Sequence, residues 1–258
     1  MNHAHTMLPM SRVRRDHGFT MVELLIAITL AVFLCGGALT IVARTKSTFV
    51  AQNQLAQLQD NIRLSMTFMA EIIESGGYYP NPASNTAAAA MPAITAPATF
   101  AAGQPFLGTY SATGAGDTVT VRFGAGNGDN IFGCTGATNT TVSPLDTYIN
   151  QFWVQTAVSV GQQPQLMCTF THGTTTAPAI PLITGVSKLA VLYGVKRNST
   201  DTGTCTDTYL NASQMLAADW TAVCAVKVTV TYINPLNAAA PITITRVIAV
   251  MNAAGVNS

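Results

Sequence analysis

Charge is scarce in this chain of 258 residues: Asp, Glu, Lys and Arg make up 9% of it, and 12 Lys+Arg against 11 Asp+Glu leave a formal net charge of +1. That balance offers no basic surface for nucleic acid, and no direct nucleic-acid binding is expected. Histidine is scarcer still, with four in all and three of them in the first 17 residues. There is no Cys-x-x-Cys pair either, so a zinc ligand set is lacking. The G-x-S-x-G and G-x-x-x-x-G-K-[ST] patterns are both missing, which excludes a nucleophile elbow and a phosphate-cradling loop of those kinds. The remaining His172 stands beside Gly173 and a threonine run, the setting of a solvated loop residue rather than a general base. No catalytic activity, cofactor or metal is expected. Proline is absent from Phe19 to Ser75, and there the chain turns informative.

Leu24 to Ala43 is an uncharged apolar run of 20 residues, immediately preceded by Gly18-Phe19-Thr20-Met21-Val22-Glu23. As a helix the run rises about 30 Å, the thickness of a bilayer's hydrocarbon core. Glu23 then sits at or just inside the membrane boundary, where an unpaired carboxylate is costly and a counter-charge is expected. Upstream, Arg12, Arg14 and Arg15 lie in a stretch without an apolar core. A secretory signal has the reverse order, apolar region first and cleavage site after it. A plain single-pass anchor, with Glu23 facing headgroups, accounts for neither the Gly18-Phe19 junction nor that leader.

A basic leader ending in Gly18, then Phe19-Thr20-x-x-Glu23 and an apolar helix, resembles the type III signal of type IV prepilins. The resemblance implies cleavage between Gly18 and Phe19 by a prepilin peptidase, N-methylation of the new Phe19 amine, and Glu23 as the fifth residue of the mature chain. A cationic amine on Phe19, in the same chain or a neighbouring subunit, is a natural counter-charge for Glu23. Cleavage leaves nine Lys+Arg against ten Asp+Glu. Three arginines before the span, against Arg44 and Lys46 after it, favour a cytoplasmic N-terminus and an external, periplasmic C-terminal part.

Past the span, Leu55, Leu58, Ile62, Met66, Met69 and Ile73 recur at helical steps, with polar residues between them, and Gly76-Gly77 supplies a stop. One helix from Phe19 to Ser75, of roughly 85 Å, is the simplest reading. Gly36-Gly37 marks either close packing against another helix or a place where this one loosens. From Tyr78 to Gly116 the sequence is rich in Pro, Ala and Thr and reads as a long connection, with a short strand near Pro105 to Tyr110. Strand patterns follow at Asp117–Phe123, Tyr148–Val158, Gln165–Phe170, Val186–Val195, Val223–Ile233 and Ile242–Val250. The expected fold is α+β, a long helix laid on a mainly antiparallel sheet, which the pilin resemblance also implies. The expected parts are a leader (1–18), a membrane or assembly segment (19–43), an amphipathic helix (44–77), the connection (78–116) and a β-rich head (117–258).

Phe132-Gly133-Cys134-Thr135-Gly136, Asn150-Gln151-Phe152-Trp153-Val154, Gln165-Leu166-Met167-Cys168, Pro181-Leu182-Ile183-Thr184-Gly185-Val186 and Leu192-Tyr193-Gly194-Val195 follow one another as in the PilW family of minor pilins. Tyr209-Leu210-Asn211-Ala212, Asp219-Trp220 and Val223-Cys224-Ala225-Val226-Lys227-Val228 continue the likeness. The Ala/Pro/Thr insert at 80–105 departs from the usual pattern, so no interaction surface is carried over to it. Cys35 lies in the apolar run and reads as a small packing residue, leaving Cys134, Cys168, Cys205 and Cys224, for which three pairings exist. Cys134–Cys168 and Cys205–Cys224 each bracket a local stretch, the second resembling the disulfide-bounded C-terminal loops of many pilins; free thiols or a metal site compete with this reading. Asp201, Asp207, Asn127 and Asp129 have oxygens that suit calcium, but their spacing is not that of an EF-hand, and solvated turn residues are favoured. Trp153 and Trp220 read as core anchors ahead of adhesive residues.

The resemblance implies a minor pilin that primes assembly of a type IV pilus or joins its tip complex, supporting motility, attachment or DNA uptake. Its partners would be other minor pilins, the major pilin, the prepilin peptidase and the inner-membrane assembly platform. A minor pseudopilin of a type II secretion system shares the same processing and scaffold. A membrane-anchored surface adhesin is a third reading.

Overall fold

The structure, a computed structural model, describes residues 18–129, 131–138, 145–173, 175–198, 200 and 205–251. The leader before Gly18 and the calcium candidate Asp201 lie outside them. The chain divides into two units, Met1–Gln52 and Asn53–Ser258. Helix α1 (Met21–Glu74) contributes to both.

In the first unit every α1 residue from Met21 to Val50 is exposed, although Leu24–Ala43 is apolar on all faces. Such a helix needs lipid or other helices around it. Gly36 and Gly37 are helical, and a Cβ at either would meet no atom. Hence the helix does not loosen at this pair, and no described residue packs on it there.

In the second unit, α1 buries Leu58, Ser65, Met66, Met69, Ala70, Ile72 and Ile73. Four of the six stripe residues named from sequence are among them; Ile62 packs at the core's edge and Leu55 is exposed. Helix α1 stops where expected and for a local reason. Gly77 takes φ 76°, a conformation that costs glycine little, and a Cβ on Gly76 would run into the Phe106 ring.

Ten strands follow among the described residues: β1 (Phe106–Thr109), β2 (Thr118–Ala125), β3 (Asp146–Gln155), β4 (Gln165–His172), β5 (Thr175–Thr176), β6 (Ile180–Thr184), β7 (Val186–Val195), β8 (Thr208–Leu210), β9 (Ala225–Tyr232) and β10 (Ile242–Ala249). Every strand pairing is antiparallel. The strands form two sheets and not one: β1-β2-β3-β4-β5, with β6 also on β4, and β10-β9-β7-β8. The chain changes sheet between β6 and β7 at Gly185, whose φ of 83° turns it sharply. Asp117 ties the sheets together: its backbone N–H donates to the Leu189 carbonyl (2.8 Å) and its carboxylate accepts from Val191 N–H (2.8 Å). The inner faces, with Val119, Val121, Phe123 and Phe152 from one sheet and Val191, Val226, Val228 and Val230 from the other, form one apolar core with α1.

Strand β2 is buried on both faces, because Thr120 and Arg122, which point away from that core, are also covered. The cover over Arg122 is the segment read from sequence as a connection. It contains α2 (Ala87–Ala90), capped by the Thr86 hydroxyl, which accepts from Ala89 N–H. Met91 and Phe100 are buried with it.

Candidate assembly site

Gly18, Phe19 and Thr20 precede the first helical turn and are exposed. Thr20 ends the extended stretch by capping α1. Its hydroxyl accepts from the Glu23 backbone N–H (3.3 Å), and its carbonyl accepts from Leu24 N–H (3.1 Å). Thr20 enters the sequence reading as part of the motif but not as a cap, although Thr-x-x-Glu is the spacing of a capping box. The cap fixes the helix start two residues after the Gly18–Phe19 bond, which leaves that bond in non-helical backbone. Glu23 therefore lies in the first turn, at the positive end of the helix dipole, where a carboxylate is favoured.

The other polar groups of the apolar run satisfy themselves. The Thr29 hydroxyl donates to the Leu25 and Ile26 carbonyls (3.1 and 2.8 Å), and that of Thr40 to the Gly36 and Gly37 carbonyls (2.7 and 2.9 Å). Back-bonding of this kind lets a hydroxyl sit in hydrocarbon without a partner from outside. Glu23 differs, since its carboxylate has no hydrogen-bond or ion-pair partner among the described residues. Helix α1 is the one described helix long and apolar enough to cross a membrane.

In the second unit the structure joins Cys134 to Cys168 and Cys205 to Cys224, with Cα atoms 6.4 and 5.9 Å apart. Cys35 is free and exposed on the apolar helix. The first disulfide pins residues 131–138 to β4, and Cys134 N–H donates to the buried Asn150 amide oxygen (2.6 Å). Trp220 packs edge-on against Tyr193, centroids 4.8 Å apart, whereas Trp153 is half-buried.

Nε2 of His172 lies 2.5 Å from the Asp146 carboxylate. Neighbouring Tyr148 is fully buried, and burial, with Asp146 and Asp129 nearby, pushes its hydroxyl up to about 12. Two of the calcium candidates direct their oxygens at their own backbone. Asp129 accepts from Gly126 N–H (2.5 Å), and Asp207 accepts from the Arg197 and Asn198 N–H groups (2.9 and 2.5 Å).

Two comparisons with known families bear on these sites. Residues 13–39 match the prokaryotic N-terminal methylation motif, and residues 151–241 match the type IV pilus-assembly protein W family. The first match contains the Gly18–Phe19 junction, Thr20, Glu23 and most of the apolar run. The second runs from within β3 to the turn before β10 and takes in Cys168, Cys205 and Cys224, but neither Cys134 nor the cover over β2. No curated protein and no solved structure matches the chain.

Proposed function

We propose that this chain, a PilW-type type IV pilin with a prepilin-type methylation motif, acts as a minor pilin that primes pilus assembly or joins the tip complex. The observation that carries this reading is Glu23: a carboxylate in the first turn of an exposed apolar helix, three residues beyond the motif's Thr20 and without a partner among the described residues. The chain inserts with its N-terminus in the cytoplasm and its β-rich part in the periplasm. Prepilin peptidase then cuts between Gly18 and Phe19 and methylates the Phe19 amine.

A carboxylate at the bilayer centre costs about 2.5–3.5 kcal/mol by insertion measurements, an upper bound for Glu23 at the membrane boundary. Attraction to a cationic amine 4 Å away is worth about 4 kcal/mol at an effective dielectric of 20, against about 1 kcal/mol in water. Pairing Glu23 with the Phe19 amine of its own or a neighbouring subunit thus offsets the cost, and it does so only at matching depth. That requirement sets register as the apolar helix leaves the bilayer for a bundle of major and minor pilins on the inner-membrane assembly platform. The role is structural, with attachment, motility or DNA uptake as its outcome.

Deletion of the gene tests the setting. Loss of pili with normal secretion supports this reading. Loss of secreted enzymes with pili intact assigns the chain to a type II secretion machine, and loss of attachment alone assigns it to adhesion.

A further inference from the structure

We propose that the cleft beside the last turns of α1 is a docking site for a different pilin subunit, which fills it with an apolar side chain flanked by Lys or Arg. The proposal rests on the reading of the chain as a pilin and names where and how it holds a neighbour. The cleft lies wholly within the second unit. It measures about 450 Å³ and is walled by Phe68, Ile72, Tyr78 and Phe132, with Met251 at one end; pockets that hold ligands run from about 300 to 1,000 Å³. A second hollow of about 310 Å³ continues on the other side of Phe68, past Leu64 and Leu182.

The exposed aromatic in this cleft is fixed in place. Phe132 is 51% exposed, on a loop closed by its bridge to Thr138 and by the Gly133 N–H bond to the Ala137 carbonyl (2.8 Å). The next residues are tethered by the Cys134–Cys168 disulfide, and the Phe170 ring occupies the space where a Gly133 side chain would stand. The loop is therefore held open by its own anchors, and Phe132 remains available to a partner.

Charge selects the partner. Glu71 and Glu74 line the same cleft. They lie near the C-terminal end of α1, where the dipole disfavours carboxylates, and the last turn has no basic residue. Neither carboxylate has an ion-pair partner among the described residues. A Lys or Arg beside the incoming apolar group would relieve that repulsion, whereas the phosphates of lipid headgroups or nucleic acid would add to it.

The test uses the full chain in cells that carry its assembly machinery, with a photo-crosslinking phenylalanine analogue at position 132 and, as control, at exposed Leu236. Expected is an adduct from position 132 to another pilin subunit, mapping to a segment with an apolar residue next to Lys or Arg. The control should give none, and Glu71→Lys with Glu74→Lys should reduce the adduct at least tenfold while Gly18–Phe19 cleavage and both disulfides persist. An adduct to lipid, to a second copy of this chain or to a segment without a cation overturns the proposal, as does an adduct indifferent to charge reversal. Co-purification separates the remaining failures. Association with pilins without a position-132 adduct removes the docking site alone, whereas no association with pilins removes the underlying reading as well.

Discussion

The Arg122 guanidinium stands 4.7 Å from the centroid of the Phe100 ring, and both side chains are buried. Among the described residues no carboxylate pairs with this cation. Its nitrogens instead donate to four backbone carbonyls, those of Gln104 (2.9 Å), Pro92 (2.8 Å), Met91 (3.2 Å) and Ala101 (2.7 Å). Burial pushes its pKa down to about 10, so it stays protonated at neutral pH. One side chain of β2 thereby gathers a segment that has almost no regular structure of its own. Arg122→Met keeps apolar bulk but strands the carbonyls, and a loss of about 3 kcal/mol is expected. Limited proteolysis should show new cuts between residues 80 and 105 while β7 and β9 remain resistant.

Ser65 on α1 and Tyr232 on β9 are both buried, with their hydroxyl oxygens 2.5 Å apart. Ser65 also reaches its own helix, at the Asn61 and Ile62 carbonyls (2.8 and 3.1 Å). The two deletions should therefore be unequal. Tyr232→Phe leaves Ser65 satisfied and should cost about 1 kcal/mol, whereas Ser65→Ala leaves a phenol buried without a partner and should cost about 1–3 kcal/mol. Urea denaturation of the two variants checks the order.

Asp207 gives the second unit a local acid sensitivity. Backbone N–H bonds from Arg197 and Asn198 and the Thr208 hydroxyl hold its carboxyl below the ordinary 3.8. Because the folded value is depressed, the contribution is full above the ordinary carboxylate range and fades as pH falls through the folded value. Hydrogen exchange should show the Arg197 and Asn198 amides losing protection only as pH drops below the ordinary 3.8. In Asp207→Asn that dependence should vanish.

Non-reducing peptide mapping of the protein should return Cys134–Cys168 and Cys205–Cys224, and a Cys134–Cys205 link would contradict the pairing. The pairs are 34 and 19 residues apart, separations for which chain entropy gives about 3–4 kcal/mol of stabilisation each. Reduction should accordingly lower the urea midpoint.

Much of this architecture is legible in the sequence, wherever the signal is periodic. The proline-free stretch after Phe19 and its stripe through Met66 and Ile73 give α1 to within two residues at its start. Val186–Val195 forms a strand over its expected range. The rest depends on contacts between residues far apart in sequence. Nothing near Arg122 announces that its acceptors lie 18 to 31 residues earlier, so the cover over β2 reads as a connection. The division into two sheets turns on Asp117, Leu189 and Gly185, single residues within patterns that suit one sheet equally well. Strand β6 hides behind Pro181, which a short edge strand tolerates. At the candidate assembly site, Glu23 stands out because a charge borders an apolar run. The cap by Thr20 is equally readable, since Thr-x-x-Glu is a local pattern. The cleft at Phe132 is not readable, because it forms only when α1, the loop and Met251 meet.

The measurement that bears most directly on the assembly role proposed for Glu23 is co-purification of Glu23→Ala with pilins from cells with functional pili, scored beside cleavage at Gly18–Phe19. The expected result is normal cleavage with association reduced at least tenfold, since about 1.4 kcal/mol of lost pairing already corresponds to that factor. Wild-type association and wild-type piliation by the cleaved Glu23→Ala chain would contradict the role assigned to this carboxylate.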